Sequence, residues 1–252
     1  MSPILIAVLC LVVVGTSLLS GIFGMAGGMI LIGVLLVMLP VPEAMMLHGV
    51  TQMASNGWRA LLWWRYVRWS AAGSYLFGCV AALLVWSFTR YVPSTPVALL
   101  MLGLTPFLVR LMPKDYRPNP EQLHQGVIYG LACMTLILLT GVAGPLVDQF
   151  FLGGKFDRRE IVATKAMCQV FGHAAKLIYF GTLISQTGSV DPIVAGLAIA
   201  SSMLGTTLAK RILEAMSDQQ YRRWANAIIT VIAGYYVVHG SVLIVLGYAY
   251  AG

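Results

Sequence analysis

Eight apolar segments follow one another along this chain, each near the roughly 20 residues that a bilayer-spanning helix needs: Pro3–Ser20, Pro42–Trp64, Ser70–Thr89, Ser94–Met112, Gln125–Thr140, Glu160–Leu183, Pro192–Ala209 and Arg223–Leu246. The longest polar stretch between them is only Pro113–Gln125. Inside a bilayer no water satisfies backbone N–H and C=O groups, so each segment must close its own hydrogen bonds as a helix. Composition agrees: 59% of the residues are hydrophobic and 10% are charged, against about 25% charged in a soluble domain. Two shorter apolar pieces, Ala26–Leu39 and Gly144–Gly153, read as half-helices. The expected fold is all-α: a polytopic membrane protein of about 8–10 helical segments, some of them broken or re-entrant.

No Lys or Arg precedes Pro3–Ser20, unlike the basic start of a signal peptide, so this run is read as a retained helix. Cys10, Cys79, Cys133 and Cys168 all fall in apolar segments without CxxC spacing. They read as small core residues, and no disulfide framework, metal or cofactor is expected. The formal charge of +7 is explained by loops beside a membrane, not by nucleic acid. Expected partners are the lipid bilayer and a small anionic solute, with the oligomeric state open and a homodimer among the options.

Lys and Arg accumulate in cytoplasmic loops. Twelve of the 16 basic residues fall in four clusters: Arg65 and Arg68; Arg110, Lys114 and Arg117; Lys155, Arg158 and Arg159; Lys210, Arg211, Arg222 and Arg223. With these on one side, Pro42–Trp64 runs inward, Glu160–Leu183 runs outward, and both termini lie on the non-cytoplasmic side of an inner (plasma) membrane. Trp63, Trp64, Tyr66, Trp69, Tyr221 and Trp224 fit an aromatic belt on the basic side, and Trp86 and Tyr91 fit one opposite.

A shift of 117 residues lays "GMAGGMI" (Gly24–Ile30) on "GVAGPLV" (Gly141–Val147), Glu43 on Glu160 and Gln52 on Gln169. It also brings His48 onto Lys165, Asn56 onto His173 and Arg59 onto Lys176. Only 6 of the 41 positions from Gly24 to Trp64 are identical, so the weight rests on polar residues repeated in register inside apolar helices. Loop charges give the two copies opposite orientations, the pattern of inverted-repeat transporters. The expected organisation is a first repeat over 1–112, a cytoplasmic linker over 113–124 and a second repeat over 125–252.

At 100° per residue, His48, Gln52, Asn56 and Arg59 point to about 0°, 40°, 80° and 20° on a helical wheel. Lys165, Gln169, His173 and Lys176 share that spacing. Ionisable and polar stripes at membrane depth face protein or a cavity. Their excess of cations over the one nearby acid, Asp148, points to an anion. The glycine-rich breaks Gly24–Gly28 and Gly141–Pro145 precede the half-helices, whose free N–H groups and positive dipole ends attract anions. The candidate binding residues are Gly24, Gly27, Gly28, His48, Gln52, Asn56, Arg59, Gly141, Gly144, Lys165, Gln169, His173 and Lys176, with Asp148 or His173 as proton carrier.

Each has a plainer alternative. Arg59 and Lys165 can snorkel to the basic interface. Lys176 can form an ion pair with Asp148. The histidines can be hydrogen-bonded core residues, the glutamines interhelical glue, and the glycines close-packing positions. Glu43 and Glu160 read as structural: Pro42-Glu43 starts one helix, and Asp157-x-x-Glu160 is a capping box.

"GMAGGMILIG" followed by Pro42-Glu43-Ala44, with a second copy "GVAGPL" after a basic loop, resembles the TauE/SafE family of sulfite exporters over nearly the whole chain. The sequence departs from the family pattern at Ala26, Gly33, Pro145 and Asp148. The resemblance implies ion-gradient-driven export of a small sulfur-containing anion such as sulfite or an organosulfonate. No GxxxxGK[ST] loop, HExxH or GxSxG motif occurs, so neither an ATP engine nor an enzyme is expected. An anion channel is the main alternative, and a membrane-embedded enzyme the lesser one.

Overall fold

The computed structural model describes residues 2–23, 25–113, 115–151, 155–184 and 190–248. Of the positions named above, Gly24, Lys114 and Gly153 lie outside this set, as do the side chains of Arg158, Lys210, Arg211, Tyr221 and Arg222. The described residues form ten α-helices and no strand. They are α1 (Pro3–Phe23), α2 (Ala26–Met38), α3 (Val41–Leu62), α4 (Trp69–Thr89), α5 (Thr95–Arg110), α6 (Leu123–Thr140), α7 (Gly144–Phe150), α8 (Arg158–Ile178), α9 (Pro192–Ala215) and α10 (Asp218–Tyr248). A wider π turn over Tyr179–Ile184 extends α8.

Helices α1, α4, α6, α9 and α10 are long and apolar enough to cross a bilayer. Helices α3 and α8 carry the polar stripes, and they pack on each other. Both expected half-helices are present as α2 and α7. The other broad interfaces are α1 on α9, α4 on α6 and α5 on α10. Exchanging the first five helices for the last five, in order, leaves this set of pairs unchanged.

Lipid tails are as apolar as leucine, so close packing must hold such helices together, and small residues permit it. A Cβ on Gly21 would lie 2.3 Å from Ala209 Cβ, and one on Gly205 would lie 2.3 Å from Val14 O, which fixes α1 against α9. Gly78 and Gly130 do the same between α4 and α6, where added Cβ atoms would fall 2.1 Å from Val127 O and 2.0 Å from Tyr75 O.

The capping box at the start of α8 is formed: Asp157 Oδ1 accepts from the Arg159 and Glu160 amides at 2.8 Å, and Glu160 Oε2 accepts from the Asp157 amide at 3.0 Å. Glu160 also pairs with Arg68 at 2.8 Å, and Arg159 Nη1 donates to Tyr66 Oη at 3.0 Å. These contacts bind the C-terminal end of α3 to the N-terminal end of α8, so the two stripes run antiparallel.

Candidate functional site

Two breaks meet beside the α3–α8 pair. The first lies between Phe23 and Ala26, where the chain leaves α1 and re-enters α2. Gly27 sits in the first turn of α2 against α1; a Cβ there would lie 1.8 Å from Thr16 O. Only hydrogen fits, which explains this glycine by packing. Gly28 faces the other way, and its Cβ would meet Gln52 Oε1 at 3.5 Å, an ordinary contact.

The second break begins at Gly141, the C-cap of α6, with φ +87°. This left-handed conformation is easy for glycine and strained for other residues. Proline in the first turn then starts α7, where the missing N–H costs nothing. A Cβ on Gly144 would lie 2.3 Å from Met25 Cβ, so the two breaks touch.

Between them lies a partly open cavity with about 420 Å³ of empty space, its mouth included. The polar wall comes from Ser20 of α1, Gln52, Asn56 and Arg59 of α3, and Gln169 and His173 of α8. Gly28 and Gly144, in the first turns of α2 and α7, also line it. The rest of the lining is apolar: Met25, Ile137, Val142, Ala143 and Val147. No carboxylate lines the cavity among the described residues. The Asn56 amide donates to Gln52 O at 2.9 Å, which orients its head group. Arg59 Nη2 donates to Ser20 O at 3.3 Å.

Five of the twelve described candidate residues do not line the cavity. Gly24 lies outside the described residues. Gly27 is consumed by packing on α1. Lys165 pairs with Asp148, so the ion pair weighed above for Lys176 is made by Lys165 instead. His48, Lys176 and Gly141 form a buried node behind the cavity: His48 Nε2 donates to Gly28 O at 3.0 Å, and Lys176 Nζ donates to His48 Nδ1 at 2.7 Å and to Gly141 O at 3.2 Å. His48 and Lys176 are both 0% exposed. The carbonyls they hold belong to the two interrupted segments, one in α2 and one at the end of α6.

Sequence reading missed Ser20 and the apolar wall. Ser20 is one of several hydroxyls in α1, and only the return of α2 over α1 places it at the break. Gly33 of α2, where the family pattern departs, is also explained: a Cβ there would lie 2.0 Å from Tyr236 Oη, which donates to Met29 O at 3.0 Å.

A family model described as sulfite exporter TauE/SafE matches residues 8–236 of the chain. Among curated proteins, a carboxybiotin decarboxylase of Malonomonas rubra is 32% identical over 116 residues. That stretch is 41% of this chain and 29% of the relative, so the likeness spans under a third of that protein's length. No solved structure matches the chain.

Proposed function

The chain belongs to the sulfite exporter TauE/SafE family, and from that premise we propose that it is a secondary transporter that exports a small anion through the cavity between its two helix breaks. The carrying observation is the lining: amides, a histidine, a serine and Arg59, with no carboxylate among the described residues. Hydrogen-bond donors and one fixed cation attract an anion. Gly28 and Gly144 bring the first turns of α2 and α7 to the cavity, and the positive end of a helix dipole favours negative charge. The apolar part of the lining suits a solute with one nonpolar end, so an organosulfonate is a candidate solute beside sulfite.

The two-repeat organisation, 1–112 and 125–252 around a cytoplasmic linker, is supported by the exchange symmetry of the helix pairs and by the loop charges. In this reading both termini are non-cytoplasmic. Transport proceeds by rocking of one repeat against the other around the cavity, with His173 or Asp148 carrying a coupled proton.

A thermal-shift screen of the purified protein against sulfite, sulfate, thiosulfate, small sulfonates and carboxylates tests the reading. A ligand that binds only the folded state stabilises it, by about 2.7 kcal/mol at a hundredfold excess over Kd. A shift with sulfite or a sulfonate supports the proposal. No shift with any anion contradicts it.

A further inference from the structure

We propose that Ser20 Oγ and His173 Nδ1 are two direct contacts of the transported anion, which bridges them from opposite halves of the chain. The inference rests on the transport reading above and names atoms within that site.

Buried polar atoms in folded proteins find hydrogen-bond partners. Hydroxyls in membrane helices usually bond back to the preceding turn, and this chain follows that habit. Thr16 donates to Val12 O at 2.7 Å, Thr51 to His48 O at 2.8 Å, Thr105 to Met101 O at 2.7 Å and Thr140 to Leu136 O at 2.9 Å. Other buried hydroxyls pair between helices, Ser17 with Ser202 at 3.2 Å and Ser55 with Thr206 at 2.7 Å. Ser20 does neither. It is 3% exposed, and its Oγ has no protein partner.

The two central histidines differ in the same way. Both ring nitrogens of His48 are bonded. His173 is 3% exposed, packs edge-on against the His48 ring with centroids 5.5 Å apart, and leaves Nδ1 without a protein partner. Among the described residues, three other buried side-chain atoms are unpaired: Tyr75 Oη, Tyr129 Oη and His239 Nδ1. None of those three residues lines the cavity; Ser20 and His173 both do.

An anion offers only acceptors. Ser20 therefore donates its hydroxyl proton to one anion oxygen, and His173 donates from Nδ1 to another, which sets its proton on Nδ1 in the bound state. Ser20 lies on α1 and His173 on α8, so the bound anion joins elements that alternating access would move relative to each other.

Titration calorimetry of the full chain in detergent, with sodium sulfite and sodium methanesulfonate as probes, tests this. Ser20→Ala should weaken binding roughly tenfold, the worth of about one hydrogen bond to a charged group. It should not lower the melting temperature without anion, since the hydroxyl it removes stabilises nothing there. His173→Asn, whose amide takes the place of Nδ1, should bind within about threefold of wild type, whereas His173→Gln, whose amide takes the place of Nε2, should lose roughly tenfold. Wild-type binding left unchanged by Ser20→Ala, or equal losses in His173→Asn and His173→Gln, overturns this inference and leaves the transport reading standing. Absence of wild-type binding to both probes overturns the transport reading and this inference with it.

Discussion

Lys176 Nζ lies 2.7 Å from His48 Nδ1, deep in the protein, and through it the two helix breaks are joined. Lys176 holds Gly141 O at the end of α6, and His48 holds Gly28 O in α2. Arg59, which the 117-residue shift lays on Lys176, donates to Ser20 O near the end of α1. Each cation thus serves the C-terminal turn of a broken helix, where carbonyls lack intrahelical partners and the dipole is negative. They differ in place: Arg59 lines the cavity and Lys176 does not.

That difference predicts a separation of effects. Lys176→Met strands two buried acceptors and should cost about 1–3 kcal/mol of stability, read as a lower melting temperature. Arg59→Gln should change stability less, and weaken sulfite binding by roughly 10–100-fold. Equal loss of affinity in both variants would put Lys176 in the solute site.

The glycines of the first break should respond individually. Gly27→Ala drives a methyl into Thr16 O and should destabilise by about 1–3 kcal/mol or prevent folding. Gly28→Ala meets only Gln52 at normal contact distance; it should fold with a near-wild-type melting temperature and bind anion more weakly. Melting curves with and without sulfite measure both quantities.

Gly33 and Tyr236 form a testable pair. Gly33→Ala alone should destabilise by about 1–3 kcal/mol, because its methyl would overlap the Tyr236 ring. Combination with Tyr236→Val should recover part of that loss, giving a positive coupling energy in a double-mutant cycle. Strict additivity would mean that the ring does not explain the glycine.

Proton coupling is assignable by two substitutions. Uptake driven by an imposed pH gradient should be lost in His173→Asn, which keeps the Nδ1 donor to the anion, or in Asp148→Asn, since only a group that titrates during the cycle couples the two fluxes. Retention of pH-driven uptake in both variants contradicts coupling through these groups.

Much of this was legible in the sequence because membrane depth leaves few options. Apolar runs marked the helices, and the half-helices α2 and α7 fell where glycines interrupted apolar sequence. The stripe spacing placed Gln52, Asn56, Arg59, Gln169 and His173 on one side of their helices, and all five line the cavity. Periodicity could not separate depth along a stripe. His48 and Lys176 share the spacing of their neighbours, yet antiparallel packing of α3 on α8 brings them to each other and to backbone carbonyls. Ser20 was invisible because its role depends on the sharp return of α2, a tertiary event. Lys165 and Asp148 lie on separate helices, and only the placement of α7 beside α8 made them partners.

The most direct measurement is counterflow in proteoliposomes holding the purified chain. Vesicles preloaded with unlabelled sulfite, or with the sulfonate found by thermal shift, are diluted into labelled anion. Saturable uptake is expected, accelerated by the internal load and strongly reduced in Arg59→Gln. Flux without trans-stimulation would identify a channel, and labelled uptake equal to protein-free vesicles would contradict transport through this cavity altogether.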